Sequence, residues 1–235
     1  MVEKGGGAGH LVVAEVEVVD EAVEQLGHDL ALAYAQAHPA RVTAMALAAV
    51  TTTSPSDVAW ITRDVGRLFP AAWARFRDAL PEADRDGSVV DGYARLLASP
   101  DPNIREIAAC DWCDREESHV NLDDAPRPKP RYADPRYRMC FDRLATHYLR
   151  HADWRAEGQL LDGVDRIAAT PAVLIHGRLD LSSPLDVAWK PAKRWPAATL
   201  HIVADVGHTA GGAVSDHMID VLDRFASESC PRGRQ

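Results

Sequence analysis

Thr170-Pro171-Ala172-Val173-Leu174-Ile175-His176-Gly177-Arg178-Leu179-Asp180 is the stretch on which the fold of this chain turns. Ala172 to His176 is a short apolar run between a proline and a glycine. That pattern reads as a strand buried on both faces, as in a parallel sheet. The glycine turn after it ends on a carboxylate. Leu185 to Arg194 then reads as a helix and Leu200 to Val203 as a second strand, followed by Ala204-Asp205-Val206-Gly207-His208. Strand, helix and strand in this order make one parallel crossover. Asp180 and His208 are 28 residues apart, each just beyond a strand end. The crossover therefore predicts that both reach the same edge of the sheet.

Working outward, Leu11 to Val19 reads as a strand. Asp20 to His38 reads as a helix with Leu26, Leu30, Ala33 and Ala37 at three- and four-residue spacing, and Val42 to Val50 as another buried strand. Ser215 to Phe225 is an amphipathic closing helix whose inner stripe is Met218, Val221, Leu222 and Phe225. Between the two sheet segments the texture changes. Residues 51 to about 161 are helical, hold four of the six tryptophans, and carry helix-start signals at Ser54-Pro55 and Asp101-Pro102. The expected architecture is α/β: a parallel sheet of few strands from residues 1–50 and 166–235, with residues 51–165 inserted as a helical lid.

Composition narrows the function classes. The 235 residues are 46% apolar and carry a net charge of −9, which argues against nucleic acid or an anionic membrane surface as a partner. No apolar run reaches the roughly 18 residues of a membrane helix, and no leader pattern opens the chain, so a cytoplasmic protein is expected. Four scattered cysteines make no disulfide framework. Cys110-Asp111-Trp112-Cys113 is a lone CxxC, with no second CxxC or HxxxH read to complete a zinc set, and it is taken as structural. No metal or other cofactor is expected.

The acid–histidine pair points to proton-transfer chemistry. A buried carboxylate that accepts from one imidazole nitrogen fixes the tautomer and stabilises the cation formed when the other nitrogen takes a proton. The order, acid before histidine and both late in the chain, is that of α/β-hydrolases.

Several segments make this specific. Thr170 through Asp180, Ser183-Pro184-Leu185, Ala188-Trp189, Arg194-Trp195-Pro196 and Leu200 through His208 resemble the acid and histidine segments of the prolyl aminopeptidases, a family of α/β-hydrolases. Leu30-Ala31-Leu32-Ala33-Tyr34-Ala35 and His38-Pro39-Ala40-Arg41-Val42 resemble the helix and strand after that family's nucleophile. Leu68-Phe69-Pro70, Ala72-Trp73, His147-Tyr148 and Gly158-Gln159-Leu160-Leu161 resemble its cap. The resemblance implies catalytic roles for Asp180 and His208 and release of N-terminal proline from peptides. In the family, cap glutamates hold the substrate's free amino group. Trp112-Cys113-Asp114-Arg115-Glu116 matches the Trp-x-x-Trp-Glu segment with Arg115 in place of a tryptophan, which implies substrate contacts at Glu116 and Trp112. The other acidic cap position falls on Ala145, and Arg178 is implied on the substrate side of the acid turn.

The chain also departs from the pattern. Counting back from Leu30 to the family's Gly-Gly-Ser-Trp-Gly turn places Gln25 at the nucleophile, and an amide is not a nucleophile. No early Gly-rich oxyanion loop is read, Gly5 to His10 lacking a preceding strand. The expectation is an N-terminally truncated relative, impaired or inactive as a serine hydrolase. The alternatives are a non-hydrolytic acid–base enzyme using Asp180 and His208, and a decayed gene product without activity. The expected partners are a small peptide or amine-bearing small molecule and, because the sheet is cut open beside Leu11 to Val19, other copies of the chain.

Overall fold

A computed structural model of the chain describes the backbone of residues 11–14, 21–120, 130–208 and 212–229, with side chains from Asp29 onward except those of Ala213 and Ser229. In chain order the strands and α-helices are β1 Leu11–Ala14, α1 Glu21–Ala37, β2 Val42–Ala48, α2 Pro55–Thr62, α3 Pro70–Asp78, α4 Val89–Leu97, α5 Pro102–Val120, α6 Pro135–Arg150, α7 Gln159–Asp162, β3 Ala172–Gly177, α8 Leu185–Arg194, β4 Ala198–Val203 and α9 Gly212–Ser229. Contacts divide them into two compact units. One holds the residues up to Thr52 and from Gly158 on; the other runs from Thr53 to Glu157.

The first unit is a parallel sheet in the order β1-β2-β3-β4. Both faces of its centre are covered, so every residue of β3 is buried. Alternation along the strands sends Met45, Leu47, Ala172 and Leu174 into one core with Ala31, Leu32 and Ala35 of α1 and Ala188 of α8. Ala44, Ala46, Val173 and Ile175 face the other way, into a core closed by Val214, Met218, Val221 and Phe225 of α9. The α9 stripe read from the sequence is the one that packs, Leu222 being partly buried.

The α1 stripe needs correction. Leu30 is 58% exposed, and Ala31, Leu32 and Ala35 carry the contacts. In a helix this rich in Leu and Ala two adjacent stripes are both apolar, so spacing alone does not choose between them. A buried polar contact marks the true inner face: Gln36 Nε2 donates to the Leu160 carbonyl at 2.7 Å. The strand expected over Leu11 to Val19 is described over Leu11–Ala14 only, residues 15–20 lying outside the described residues, as does the Gly5 to His10 segment. Among the described residues β1 and β4 are the edge strands, and no helix is long and apolar enough to cross a membrane.

The second unit is helical. Ser54 caps α2 in a reciprocal capping box with Asp57, and Asp101 accepts from the Asn103 N–H at 2.8 Å at the start of α5, so both proline-marked starts are real. Its core is aromatic: the Tyr93 ring stacks on Phe76 at 4.2 Å, and Trp112 meets both edge-on at 5.6 Å.

Asp142 of α6 is wholly buried beside Cys113, whose thiol donates to Oδ1 at 3.5 Å, while Oδ2 has no partner. Burial pushes the Asp142 carboxyl up to about 9. The folded unit thus keeps a proton that the unfolded chain releases above about pH 4. Stability conferred by that proton falls as pH rises from about 4 toward the folded value, by at most ~1.4 kcal/mol per pH unit. Asp142→Asn keeps an acceptor for the thiol and removes the titration. Its melting temperature should exceed that of the parent chain at pH 8 and converge with it near pH 4. A difference that does not change with pH would contradict a protonated Asp142.

Candidate active site

The site is built by the register of two strands. Residues 172–177 of β3 pair in sequence with 198–203 of β4, so both strands end level, Gly177 beside Val203. The chain leaving β3 is pinned to the chain leaving β4: Arg178 N–H donates to Val203 O at 2.8 Å and Leu179 N–H to Val206 O at 3.0 Å. Gly177 makes the approach possible. A Cβ there would lie 2.4 Å from the Val206 carbonyl oxygen and 2.5 Å from that of Gly207.

The two loops bring Asp180 and His208 together as the spacing predicts. Asp180 is 2% exposed. His208 Nδ1 lies 3.0 Å from Oδ2 and 3.2 Å from Oδ1, so Nδ1–H donates to the carboxylate. Oδ1 also accepts the Ser183 N–H at 2.8 Å. Burial alone would raise the Asp180 pKa. The His208 ring with its hydrogen bond and the Ser183 N–H outweigh burial and hold the carboxyl below the usual carboxylate range. Asp180 is therefore ionised at neutral pH and stabilises a proton arriving on His208.

Two further residues frame the acid. His176, the penultimate residue of β3, is fully buried, and its Nε2–H donates to the Ser183 carbonyl at 2.8 Å. Burial holds its pKa below the ordinary histidine value against the pull of Asp180, so this ring is neutral. The Ser183 hydroxyl donates to Val50 O at 2.7 Å, tying the acid loop to the chain leaving β2. That hydroxyl is committed to a backbone carbonyl. Both residues fall within the segments that carry the family resemblance, yet neither was given a role there; for His176, a histidine inside an otherwise apolar buried strand was the available signal.

The remaining sequence-read positions are distributed differently. Gln25 lies on α1, which begins at Glu21; its side chain, and the junction at residues 15–20, are outside the described residues. Arg178 is exposed, and only its backbone is engaged. Trp112 and Glu116 sit on α5 in the helical unit. Trp112 is 1% exposed, inside the aromatic core. Glu116 is buried and already holds a cation: Oε2 accepts from Arg115 Nη1 at 2.9 Å, and His119 Nε2 is 3.5 Å away. The Arg115 guanidinium, itself buried, lies over the Phe76 and Trp112 rings at 5.5 and 5.7 Å. Thus the arginine standing at the family's tryptophan position occupies the adjacent carboxylate. Cys110 and Cys113 are free thiols on α5, and among the described residues no three metal-ligating side chains converge. His147-Tyr148-Leu149-Arg150-His151 is an HxxxH pair.

A carboxylate–imidazole pair thus stands at the ends of adjacent parallel strands. The chain belongs to the α/β hydrolase fold family, whose pattern it matches over residues 26–211. Within it the chain is related to the proline iminopeptidases, or prolyl aminopeptidases. It is 38% identical over 204 residues to a probable proline iminopeptidase of Streptomyces coelicolor, covering 85% of this chain and 62% of that one. To the proline iminopeptidase of Arabidopsis thaliana it is 34% identical, covering 78% and 49%, and to that of Neisseria gonorrhoeae 31%, covering 88% and 64%. The chain thus spans less than two thirds of the length of these relatives. Among solved structures, MGS-M2, an α/β hydrolase enzyme from a Medee basin deep-sea metagenome library, shares the fold with a TM-score of 0.52 at 14% identity, over 97% of this chain and 69% of that one.

Gly177→Ala should cost about 1–3 kcal/mol, the usual penalty of overpacking, because the atoms in the way are backbone. Gly212→Ala, where a Cβ meets nothing within 4 Å, is the control and should change stability by less than about 0.5 kcal/mol. Chemical denaturation compares the two. Equal effects would show that the acid and histidine loops do not depend on the close approach at Gly177.

Proposed function

We propose that this chain is a prolyl-aminopeptidase-like hydrolase relative that retains the acid–histidine half of the machinery and is impaired as a serine hydrolase. The observation that carries the reading is the Asp180–His208 hydrogen bond at 3.0 Å, set in loops related to those of the proline iminopeptidases. Asp180 orients His208 and stabilises its protonated form; Nε2 of His208 is the base. The impairment rests on Gln25, which falls at the family's nucleophile position and lies on α1. Removing a serine nucleophile costs about 10⁶ in rate.

The reading takes residues 1–50 and 166–235 as hydrolase core and 51–165 as helical cap. Its ligand is a small peptide or an amine-bearing small molecule, and its compartment the cytoplasm. Glu116 is the family-type contact for a substrate ammonium, with Trp112 and Arg178 as supporting contacts. The Arg115–Glu116 ion pair weighs against strong amine selection, since the carboxylate is already neutralised. A second reading, a non-hydrolytic enzyme that uses the Asp180–His208 pair for proton transfer alone, is favoured by the same hydrogen bond, which is intact irrespective of residue 25.

The purified chain should release proline from an N-terminal prolyl amide far below the ordinary enzyme range of about 1–10³ s⁻¹ and should not be labelled by a fluorophosphonate. Turnover within that range, abolished by His208→Ala, would overturn the impairment. Covalent labelling would also reveal a nucleophile, and peptide mapping would identify it.

A further inference from the structure

The last turns of α6 carry a pair of side chains that the Asp180–His208 chemistry does not use. His147, in the last turn of α6, and His151, its C-cap, are four residues apart and both exposed. The ring centroids are 5.5 Å apart with planes at 79°. An imidazole nitrogen binds a first-row transition ion at about 2.0–2.1 Å, which sets each ring centroid about 3.2 Å from the ion. Two rings at right-angle to tetrahedral spacing then have centroids about 4.5–5.2 Å apart. The observed separation is within a small side-chain rotation of that geometry.

The turn beyond the helix is shaped around the same pair. Trp154 folds back so that its ring stacks on His151 at 4.8 Å and 19° and meets His147 edge-on at 5.2 Å. To reach this place the chain takes φ of 44° at Ala152, 51° at Asp153 and 57° at Trp154, three successive residues in the left-handed region that side chains disfavour. Trp154 nevertheless stays 61% exposed, so burial of its ring does not offset the strain. Strain held at an exposed cluster of ligand-capable side chains is the pattern of a binding site. The nearby cations do not oppose a metal ion, because Arg150 is paired with Asp91 at 2.9 Å and Arg155 with Asp153 at 3.2 Å.

We propose that His147 and His151 chelate one divalent first-row transition ion of imidazole-preferring character, such as nickel or zinc, against the Trp154 ring. Two protein nitrogens hold the ion and water fills its other positions, since no third ligand converges there among the described residues. The neutral imidazole is the ligand and the ion keeps exchangeable sites, as first-row ions do with two-histidine chelates.

The test is a nickel titration of the untagged full chain, followed by calorimetry and by tryptophan fluorescence. One saturable site that quenches fluorescence is expected. His147→Ala and His151→Ala should each weaken nickel binding about tenfold or more, the loss that disturbing even an outer-shell partner of a metal brings. His201→Ala should not, although the His201 ring faces His217 at 6.2 Å. Trp154→Phe should keep calorimetric binding and lose most of the quench. No saturable binding, or unchanged affinity in either helix-α6 variant, would overturn the proposal. Quenching that persists without Trp154 would overturn the placement of the ion beside it.

Discussion

A carboxylate removed from water must be given donors or give up its charge, and Asp180 is the point at which this unit meets that demand. Its two oxygens take an imidazole N–H and a backbone N–H. The backbone N–H belongs to Ser183, whose carbonyl accepts from His176 and whose hydroxyl reaches the chain leaving β2. One buried charge thereby links β2, β3 and the loop after β4. The level ends of β3 and β4 supply the geometry, and Gly177 removes the one Cβ that would hold the loops apart. The result is an ionised acid whose natural partner is a histidine with its second nitrogen unclaimed by the acid.

The helical unit solves the same electrostatic problem in two other ways. Glu116 is paired with Arg115, which is buried with it and lies over aromatic rings. Such a pair contributes little net stability because both ions lose water, yet breaking it by removing one partner is costly. Asp142, with a thiol as its only donor, is neutralised instead. Asp180, Glu116 and Asp142, three of the buried acids among the described residues, therefore meet different donors: imidazole and backbone N–H for Asp180, guanidinium for Glu116, a weak thiol for Asp142.

The site was legible where it depended on chain order and spacing. A parallel crossover between two short apolar strands forces their C-terminal loops to one edge, so the meeting of Asp180 and His208 followed from 28 residues of spacing and a pair of strand patterns. The helix starts at Pro55 and Pro102 and the inner stripe of α9 were legible for the same reason: capping and periodicity are local. The inner face of α1 was not, because an Ala- and Leu-rich helix offers two equivalent stripes until Gln36 finds the Leu160 carbonyl.

By itself, the sequence determined the parallel α/β architecture and the spacing that brings Asp180 and His208 together. These are consequences of local patterning and of residue identity. Only the tertiary structure decided how each charge is balanced. It showed that Arg115 occupies Glu116, that Asp142 keeps its proton, that His176 and Ser183 frame Asp180, and that Trp154 turns back onto His147 and His151. The physical reason is that the state of a buried polar group depends on which donors lie within about 3 Å, and those donors come from residues far apart in the chain.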